Sequence, residues 1–395
     1  EAGLLSAAAG RLVLLLGAAG VEDLTREKAA AFLSHVTGVV WSLSFMGLLN
    51  DDIKSAARLA LRHAGRALDD KALLVAPVAA QPPRGSQTGL GEPPGQPRLV
   101  LDLPDRLVVH KPPDWEVDDA VEVTAGRPLS AFLRALLGPR QAPLAHDALH
   151  QYGFMHRLDV PSSGLILVAK TYEAFYDLQL QLKGSDLVRD YVILCHGWMP
   201  HARRGIAAPI LAKAENPVVA VRPQGKPSRT EILEVLAHGQ RPYHGRAYSI
   251  ASLRIGTGRQ HQIRVHTAHA GHAIACDGKY SAVPTANEDQ ELCRRHFLHR
   301  GRLVFRDSGG RSWEATTPLP PDLEHVLMQL SPRTAKEAVR WHGVADGAVR
   351  GGEWPGAQGK SGQCRTAPIR GACVVQRSDV VGAAVTSETK DAGEE

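Results

Sequence analysis

The sequence lacks several patterns by which common classes of enzyme are recognised. No G-x-x-x-x-G-K-[ST] phosphate-binding loop and no G-x-G-x-x-G dinucleotide fingerprint occur, so we expect no cofactor. The 395 residues include five cysteines, scattered and odd in number, and no C-x-x-C pair. A disulfide framework is therefore not indicated, and a reducing, intracellular compartment is favoured.

Long charged runs are also lacking, and one uncharged stretch stands out. Residues 29–50 contain no Lys, Arg, Asp or Glu, which is long enough for a bilayer span. Ser, His, Thr and Gly dilute its hydrophobicity, and a turn is expected near Thr37 and Gly38, so we expect no membrane span. The net charge of +5 and the pI near 9.0 mildly favour nucleic acid as a partner.

Two dense polar patches flank apolar segments and indicate one polar site. The first is His156-Arg157-Leu158-Asp159, followed by a small-residue turn and a buried-strand pattern at 165–168. The second spans residues 256–266 and reads G-T-G-R-Q-H-Q-I-R-V-H. Charged side chains next to a core must be paired or take part in chemistry.

Both patches resemble the signature of the RluA-type RNA pseudouridine synthases. In that family the first patch reads HRLD before a small-residue turn, and the second reads roughly TGRTHQIRVH. Further segments also match the family and occur in its order along the chain, before, between and after the two patches. They lie at 107–112, 189–191, 205–210, 225–230, 297–305 and 318–320. The resemblance covers about residues 98–330, and several motifs in fixed order are far more specific than one.

The resemblance implies an α+β fold, with a bent mixed sheet, flanking helices and a central RNA cleft. The pattern of the chain agrees with this class, because strand-like runs outnumber helical ones. We predict a mainly antiparallel sheet with strands at 99–103, 107–110, 165–169, 191–194, 218–221, 232–236, 249–255 and 302–305. Helices are predicted at 129–137, 172–181 and 263–269.

The flanks of this body differ in composition. Residues 1–75 read as a helical hairpin segment, clearest at 51–68 with a partner at 39–49, and weakly resemble one repeat of a helical solenoid of organellar RNA-binding proteins. Residues 76–97 form a Pro/Gly-rich linker, and 331–395 read as a mostly disordered tail with a short helix at 333–341. Because the chain begins with Glu1, the compartment is left undetermined, with chloroplast or mitochondrion as candidates.

The implied reaction, conversion of uridine to pseudouridine in RNA, needs one ionised carboxylate beside the sugar and base. Asp159 is the candidate, and Arg264 is the cation expected to keep it charged. Tyr191 is expected to stack on the target base. The alternatives without a catalytic role are a surface ion pair for Arg264 and a position in the hydrophobic core for Tyr191.

Further residues of the two patches are expected to bind the substrate. Arg157 is expected to fill the gap left by a flipped nucleotide or to contact the phosphates. His156 is expected to form a structural hydrogen bond. Arg259 and His261 are expected to line the cleft, and Lys226 to add positive charge. The partner is RNA, whether rRNA, tRNA or mRNA, and we expect a monomer.

Three alternatives remain open at this stage. Gln260 stands where the family usually has Thr, so a catalytically impaired RNA-binding protein that uses the same cleft is the first. A glycosidic hydrolase is the second, since Asp277 could supply the second carboxylate such enzymes need. A zinc enzyme is the third, but no metal site is expected, because the candidate ligands lack paired spacing; they are His266, His269, His272, Cys276, Cys293, His296 and His299.

Overall fold

The computed structural model describes residues 25–75, 95–118, 127–213, 216–242, 245–345, 364–366 and 373–377. The helices are α1 (Arg26–Phe45), α2 (Asp51–Val75), α3 (Leu129–Leu136), α4 (Tyr172–Lys183), α5 (Gln262–His269), α6 (Val283–Asp289), α7 (Pro321–Met328) and α8 (Ala335–Ala345). Two 3₁₀ segments, Pro143–His146 and Ala148–Gly153, precede the first polar patch.

The strands outnumber the helices, as the pattern predicts. They are β1 (Arg98–Asp102), β2 (Arg106–Lys111), β3 (Trp115–Glu116), β4 (Arg127–Pro128), β5 (Ser163–Ala169), β6 (Val188–His196), β7 (Gly205–Ala207), β8 (Ile210–Lys213), β9 (Asn216–Val221), β10 (Arg229–Gln240), β11 (Ala247–Ile255), β12 (Leu298–Arg306), β13 (Ser312–Thr316), β14 (Ser331–Pro332), β15 (Cys364–Thr366) and β16 (Cys373–Arg377).

One large sheet organises the molecule, in the order β1-β2-β5-β12-β6-β11-β10-β14. Neighbouring strands pair antiparallel except β5 and β12, which run parallel. Register shifts interrupt β10 and β12, and such bulges bend a strand locally. The predicted α+β class with a mainly antiparallel mixed sheet is confirmed.

The apolar residues of β5 divide between the two faces of the sheet. Ile166 and Val168 belong to a core that also holds α3, α7 and α8. Leu165 and Leu167 belong to a second core, built with α1, α2 and α4. Alternation along a strand sends successive side chains to opposite faces, so this central strand is buried on both.

The N-terminal helices differ from the predicted hairpin in their bounds. The first helix was expected at 39–49, with a turn at Thr37; instead α1 starts at Arg26, after the N-cap Thr25. The Thr37 hydroxyl donates to the Leu33 carbonyl oxygen at 2.7 Å within the helix, so no turn forms there. Gly47, with φ of +71°, lies in the left-handed region just after the helix ends.

Helix α2 docks directly on the first turn of α4. The carboxylate of Asp69 accepts hydrogen bonds from the backbone N–H groups of Tyr172 and Glu173, at 2.8 and 3.0 Å. Arg62 donates to the Glu173 carboxylate at 2.7 Å. At Gly65 the backbones approach so closely that an added Cβ would lie 2.4 Å from the Glu173 Cα. The helical pair is therefore packed against the sheet domain and is not a separate unit.

The folded body continues beyond residue 330, where the tail was predicted to begin. Strand β14 pairs with β10, and the predicted short helix is observed as α8, from Ala335 to Ala345. Trp341 is 1% exposed and donates its indole N–H to the Leu327 carbonyl oxygen at 3.1 Å. The short helix expected within the predicted tail is thus present, but it is attached to the folded body through β14 and the buried Trp341, which was not expected.

Much of the remaining flanks lies outside the described residues, including 1–24, most of the predicted linker (76–94) and most of the sequence after 345. Strands β15 and β16 extend the sheet beside β13. Within the described part of the chain, no helix has both the length and the apolar character needed to cross a bilayer.

Candidate active site

The first patch forms the loop that leads into β5. Asp159 lies at the start of a tight turn, in which the Ser162 N–H donates to the Asp159 carbonyl oxygen at 2.9 Å. Buried Lys111 holds this loop, because its ammonium donates to the carbonyl oxygen of Val160 at 3.0 Å and to that of Trp115 at 2.8 Å. The backbone of the loop that carries Asp159 is thus held at two points.

Asp159 meets Arg264, as the sequence predicted. The Nη1 group of Arg264 donates to Asp159 Oδ2 at 2.8 Å. The other edge of the same guanidinium forms a two-point contact with Asp277, through Nε at 2.7 Å and Nη2 at 2.8 Å. Such a planar fork fixes its partner in direction as well as distance, so Asp277 orients Arg264 towards Asp159.

The surroundings keep Asp159 ionised. Burial alone would raise the pKa of Asp159, but the positive charge of Arg264, with His261 and His296 next, outweighs burial and holds that pKa below its usual value. The pKa of Asp277 is lowered in the same way, with burial opposed by the Arg264 hydrogen bonds. Burial lowers the pKa of Arg264, yet its two carboxylate partners raise it overall.

Tyr191, on β6, lies in the same cavity but has an unexpected partner. Arg300, on β12, is 1% exposed and donates from Nε to the Tyr191 hydroxyl oxygen at 2.8 Å. The Arg300 guanidinium carbon lies 5.0 Å from the Tyr191 ring centroid. The tyrosine ring and hydroxyl are therefore held in one orientation.

Arg300 also fixes the tautomer of His156. Its Nη1 group lies 2.5 Å from His156 Nδ1, and a guanidinium can only donate, so Nδ1 accepts. Burial, followed by the Arg300 charge, holds the pKa of His156 well below its usual value, which leaves the ring neutral with its proton on Nε2. That Nε2 is buried and has no hydrogen-bond partner among the described residues.

The side chain of Gln262 attaches the second patch to the sheet through hydrogen bonds. Its side-chain oxygen accepts from the Thr257 hydroxyl at 2.7 Å and from the Arg259 N–H at 3.1 Å. Its amide nitrogen donates to the Arg229 carbonyl oxygen at 2.9 Å. His261, at φ of +51°, marks the start of α5. These contacts bring a loop and a helix start to the same edge as Asp159.

The two patches enclose a cavity of about 540 Å³, a size suited to a small ligand or a nucleotide. Cationic side chains of the lining outnumber carboxylates: Arg157, Lys183, Arg189, Arg259, Arg264 and Arg300 against Asp118 and Asp159. Buried Arg189 keeps its Nε without a hydrogen-bond partner in the described part of the chain. An unsatisfied buried donor in a cavity is typical of a site that waits for a ligand.

The predicted site residues divide into two groups. Asp159, Tyr191, Arg264, His156, Arg157, Arg259 and His261 all line this cavity. Lys226 does not: its backbone bridges to Ile210 and its side chain is exposed, outside the lining residues. A Gly-Lys-Pro turn gives no signal for the direction in which its side chain points.

Sequence reasoning missed the role of Arg300 and the partner of Arg264. Arg300 lies just before the strand predicted at 302–305, and the observed strand begins earlier, at Leu298, so the sequence pattern did not mark Arg300 as a buried charge that must be paired. Asp277 was considered only as a second catalytic acid. It is 1% exposed and gripped by Arg264, which argues against the glycosidase alternative.

Several residues of the two clusters considered for zinc make other contacts: His266, His272, Cys276, His296 and His299. His266 bonds Thr230 and the Ala208 carbonyl oxygen, for example. Within the described ranges, the set of possible ligands that does come together is a different one: His201, His238 and Glu337. His238 Nδ1 lies 2.8 Å from the Glu337 carboxylate, a contact that attaches α8 to β10.

Of the carboxylates in this largely cationic cleft, Asp159 is the one that Arg264 binds. This arrangement favours an enzyme that acts on an anionic substrate, such as nucleic acid, over a hydrolase with two facing acids. Comparison with known proteins makes the assignment specific. Residues 105–269 match the family model for RNA pseudouridylate synthase.

Curated relatives agree with this match. The chain is similar to ribosomal large subunit pseudouridine synthase C of Yersinia pestis, with 36% identity over 59% of this chain and 66% of that protein. It is 31% identical to ribosomal large subunit pseudouridine synthase D of Vibrio vulnificus, over 63% of this chain and 73% of that protein. The structure of human RNA Pseudouridylate Synthase Domain Containing 1 has 26% identity, covers 64% of this chain and 96% of that one, and gives a TM-score of 0.46.

The chain belongs to the RNA pseudouridylate synthase family, in its RluA-type branch, so the resemblance drawn from the motifs is confirmed. It spans about two thirds of the length of the curated relatives that it matches.

Proposed function

We propose that this chain isomerises uridine to pseudouridine in RNA, with Asp159 as the catalytic carboxylate. The reaction breaks the bond between uracil N1 and ribose C1′, turns the base and joins C5 to C1′, while the proton leaves C5 and one is gained at N1. The observation that carries the proposal is the 2.8 Å contact between Arg264 and Asp159 in a cavity whose charged lining is mostly cationic.

Asp159 would act on the sugar or base only in its ionised form, as nucleophile or as general base. A carboxylate in a dry cleft tends to protonate. Arg264 opposes this, since its charge lowers the pKa of Asp159. Asp277 is a positioning residue in this scheme, because it acts through the orientation of Arg264.

Tyr191 would receive the flipped base on its ring. Arg300 sets the plane of that ring through the hydroxyl contact at 2.8 Å. The unpartnered donors on His156 Nε2 and Arg189 Nε would gain acceptors when a nucleotide enters. These two buried donors are therefore suited to the acceptor atoms of a nucleotide.

RNA is the partner that the charge of the cleft favours. Arg157, Lys183 and Arg259 line the cavity and would contact phosphates, which supply most of the affinity of such complexes. The relatives are named for the large ribosomal subunit, so large-subunit ribosomal RNA is the first substrate to test. A single chain supplies every residue of the site, and we propose a monomer.

The test is tritium release from in vitro transcripts of ribosomal RNA that carry 5-tritiated uridine. Wild-type chain is expected to release tritium, and Asp159→Asn, which keeps size and polarity, to lower the rate by about a thousandfold, as expected when an essential acid or base is lost. Asp52→Asn, at an exposed position on α2, is the matched control. Equal release by the wild type and Asp159→Asn would refute the role of Asp159.

The impaired RNA-binding protein remains the second candidate, because Gln260 departs from the usual Thr and lines the cavity. In that case the wild type binds the transcripts tightly and releases no tritium. Gln260→Thr would then restore release if this position alone impairs the reaction.

A further inference from the structure

The N-terminal helix α1 forms one wall of the catalytic cavity. Ala30, Leu33, Ser34, Thr37 and Trp41 all line it. Spacings of three and four residues place these side chains along one face of the helix. The other contacts of α1 are with α2 and α4, so this wall is part of the folded body.

Trp41 stands where α1 meets the second patch. The guanidinium carbon of Arg259 lies 5.2 Å from the Trp41 ring centroid. Arg259 is itself held in place, since its Nε and Nη2 groups donate to the Pro227 carbonyl oxygen at 3.3 and 3.1 Å. The indole is thus positioned beside a fixed cation of the loop that leads into α5, the helix that carries Arg264.

An aromatic pair continues from this point onto the surface. The rings of Trp41 and Phe45 stack, with centroids 5.4 Å apart and planes at 26°. Phe45 is 52% exposed and the following Met46 is 57% exposed. Exposed, adjacent aromatic and apolar side chains at the rim of a cleft mark an interaction surface.

We propose that Trp41 and Phe45 form a stacking site for an unpaired base that flanks the target uridine. This inference rests on the proposed function and gives α1 a part in selecting the RNA. Two observations favour RNA as the occupant: the aromatic pair is continuous with the catalytic cavity, and cations accompany it at Arg259 and Lys183. Aromatic rings beside a cationic track are the usual means of holding single-stranded nucleic acid.

A base that stacks on these rings must be free of its own helix. The site therefore selects RNA in which the target uridine lies next to unpaired nucleotides. Stacking accepts any base, so the selection concerns local RNA structure more than sequence. Duplex RNA around the target is expected to be a poorer substrate than a loop.

The test measures binding and catalysis separately in the full chain. Trp41→Leu keeps apolar bulk in the wall but removes the ring, and Trp41→Phe keeps a ring. Affinity for a fluorescein-labelled dodecamer of uridine is measured in the Asp159→Asn background, where no turnover interferes. Trp41→Leu is expected to weaken binding by roughly 5-fold to 100-fold, the range found for one stacked base, and Trp41→Phe by much less.

Kinetics on the ribosomal transcript give the second readout. Trp41→Leu is expected to raise KM by a similar factor with kcat within about twofold of wild type. Leu59→Ala, on the exposed face of α2, is the matched control and leaves both constants unchanged. Circular dichroism and the unfolding midpoint establish that each variant folds.

Unchanged affinity for the uridine dodecamer in Trp41→Leu overturns the stacking site. A fall in kcat with unchanged affinity also overturns it, since the ring would then only shape the cavity. Because binding is measured without turnover, loss of affinity supports the site even if the chain never isomerises uridine. Affinity that is the same in all Trp41 and Phe45→Ala variants, with capture of a protein by this face, would assign the rings to a protein partner instead.

Discussion

Removal of the Arg264 charge should move the acid limb of the activity profile to higher pH. In the wild type, Arg264 and the neighbouring histidines hold the pKa of Asp159 below its usual value against burial. Asp159 is thus ionised throughout the neutral range. Without Arg264, burial is opposed only weakly, and the pKa of Asp159 rises.

The size of the effect follows from the contact geometry. The charged atoms are 2.8 Å apart, and two unit charges about 4 Å apart at an effective dielectric constant of about 20 interact by ~4 kcal/mol. Since one pKa unit corresponds to about 1.4 kcal/mol, loss of even a third of that energy moves the acid limb by about one pH unit. The sign is fixed: activity is lost as pH falls, and this loss begins at higher pH in the variant.

The experiment needs a starting variant in which removal of Arg264 does not leave a buried carboxylate without its partner. Arg264→Gln alone would leave Asp277 buried without its partner, at a cost of about 3–5 kcal/mol. The comparison is therefore Asp277→Asn against Asp277→Asn/Arg264→Gln. The pH dependence of kcat/KM for tritium release reports the free enzyme.

Asp277→Asn alone keeps the contact between Arg264 and Asp159 and should keep the acid limb low. The double variant should show an acid limb at least one pH unit higher, together with a lower rate at every pH. Coincident limbs in two folded proteins would refute the claim that Arg264 sets the ionisation of Asp159.

Three further outcomes follow from packing. Gly65→Ala is expected to separate α2 from α4 and to lower the unfolding midpoint in urea, since the added Cβ would lie 2.4 Å from a backbone atom. Gly38→Ala, with nothing within 4 Å of the added Cβ, should instead stabilise α1 by about 0.5–1 kcal/mol. Equal midpoints in urea for the two variants would contradict this. Tyr191→Phe should destabilise the fold by about 1–3 kcal/mol, because Arg300 loses a buried acceptor, and an unchanged urea midpoint would contradict that. Trp341→Ala should cost about 3–5 kcal/mol, measured in the same way, and a cost near zero would mean that α8 adds nothing to the body.

The main elements of the sheet domain could be predicted because their patterns are local. The run at 165–169 is apolar throughout and became β5, buried on both faces. The second patch contains a helix start, and α5 begins at Gln262. The pairing of β5 with β12 depends on contacts between residues more than 130 positions apart, and no local pattern specifies such a neighbour.

The candidate site was predictable to the extent that its motifs are contiguous. Asp159 and Arg264 were expected to meet, and they do. Arg300 was overlooked because its function as a support for Tyr191 and His156 exists only after three strands and a loop have come together. Lys226 was expected to add charge to the cleft and does not line it, since a positive charge in a motif does not indicate the direction of its side chain.

The C-terminal boundary of the folded body could not be predicted from composition. Composition after 331 is rich in small and polar residues, so the sequence indicates a short helix at 333–341 but not that Trp341 packs against the body. Trp341 with its hydrogen-bonded indole, buried Val344 and the contact of Glu337 with His238 attach this helix to the body. An average over many residues does not register such a contact.

The carboxylate of Asp69 on the first turn of α4 has a consequence for how this chain could have evolved. Two amides at the start of a catalytic-domain helix depend on an acceptor from a segment far upstream. A gene that lost or exchanged the codons for residues 26–75 would remove the acceptor of those amides and one side of the cavity that holds Asp159. The upstream helices and the enzyme they cover are therefore expected to be inherited together, and not to be traded between lineages as interchangeable modules.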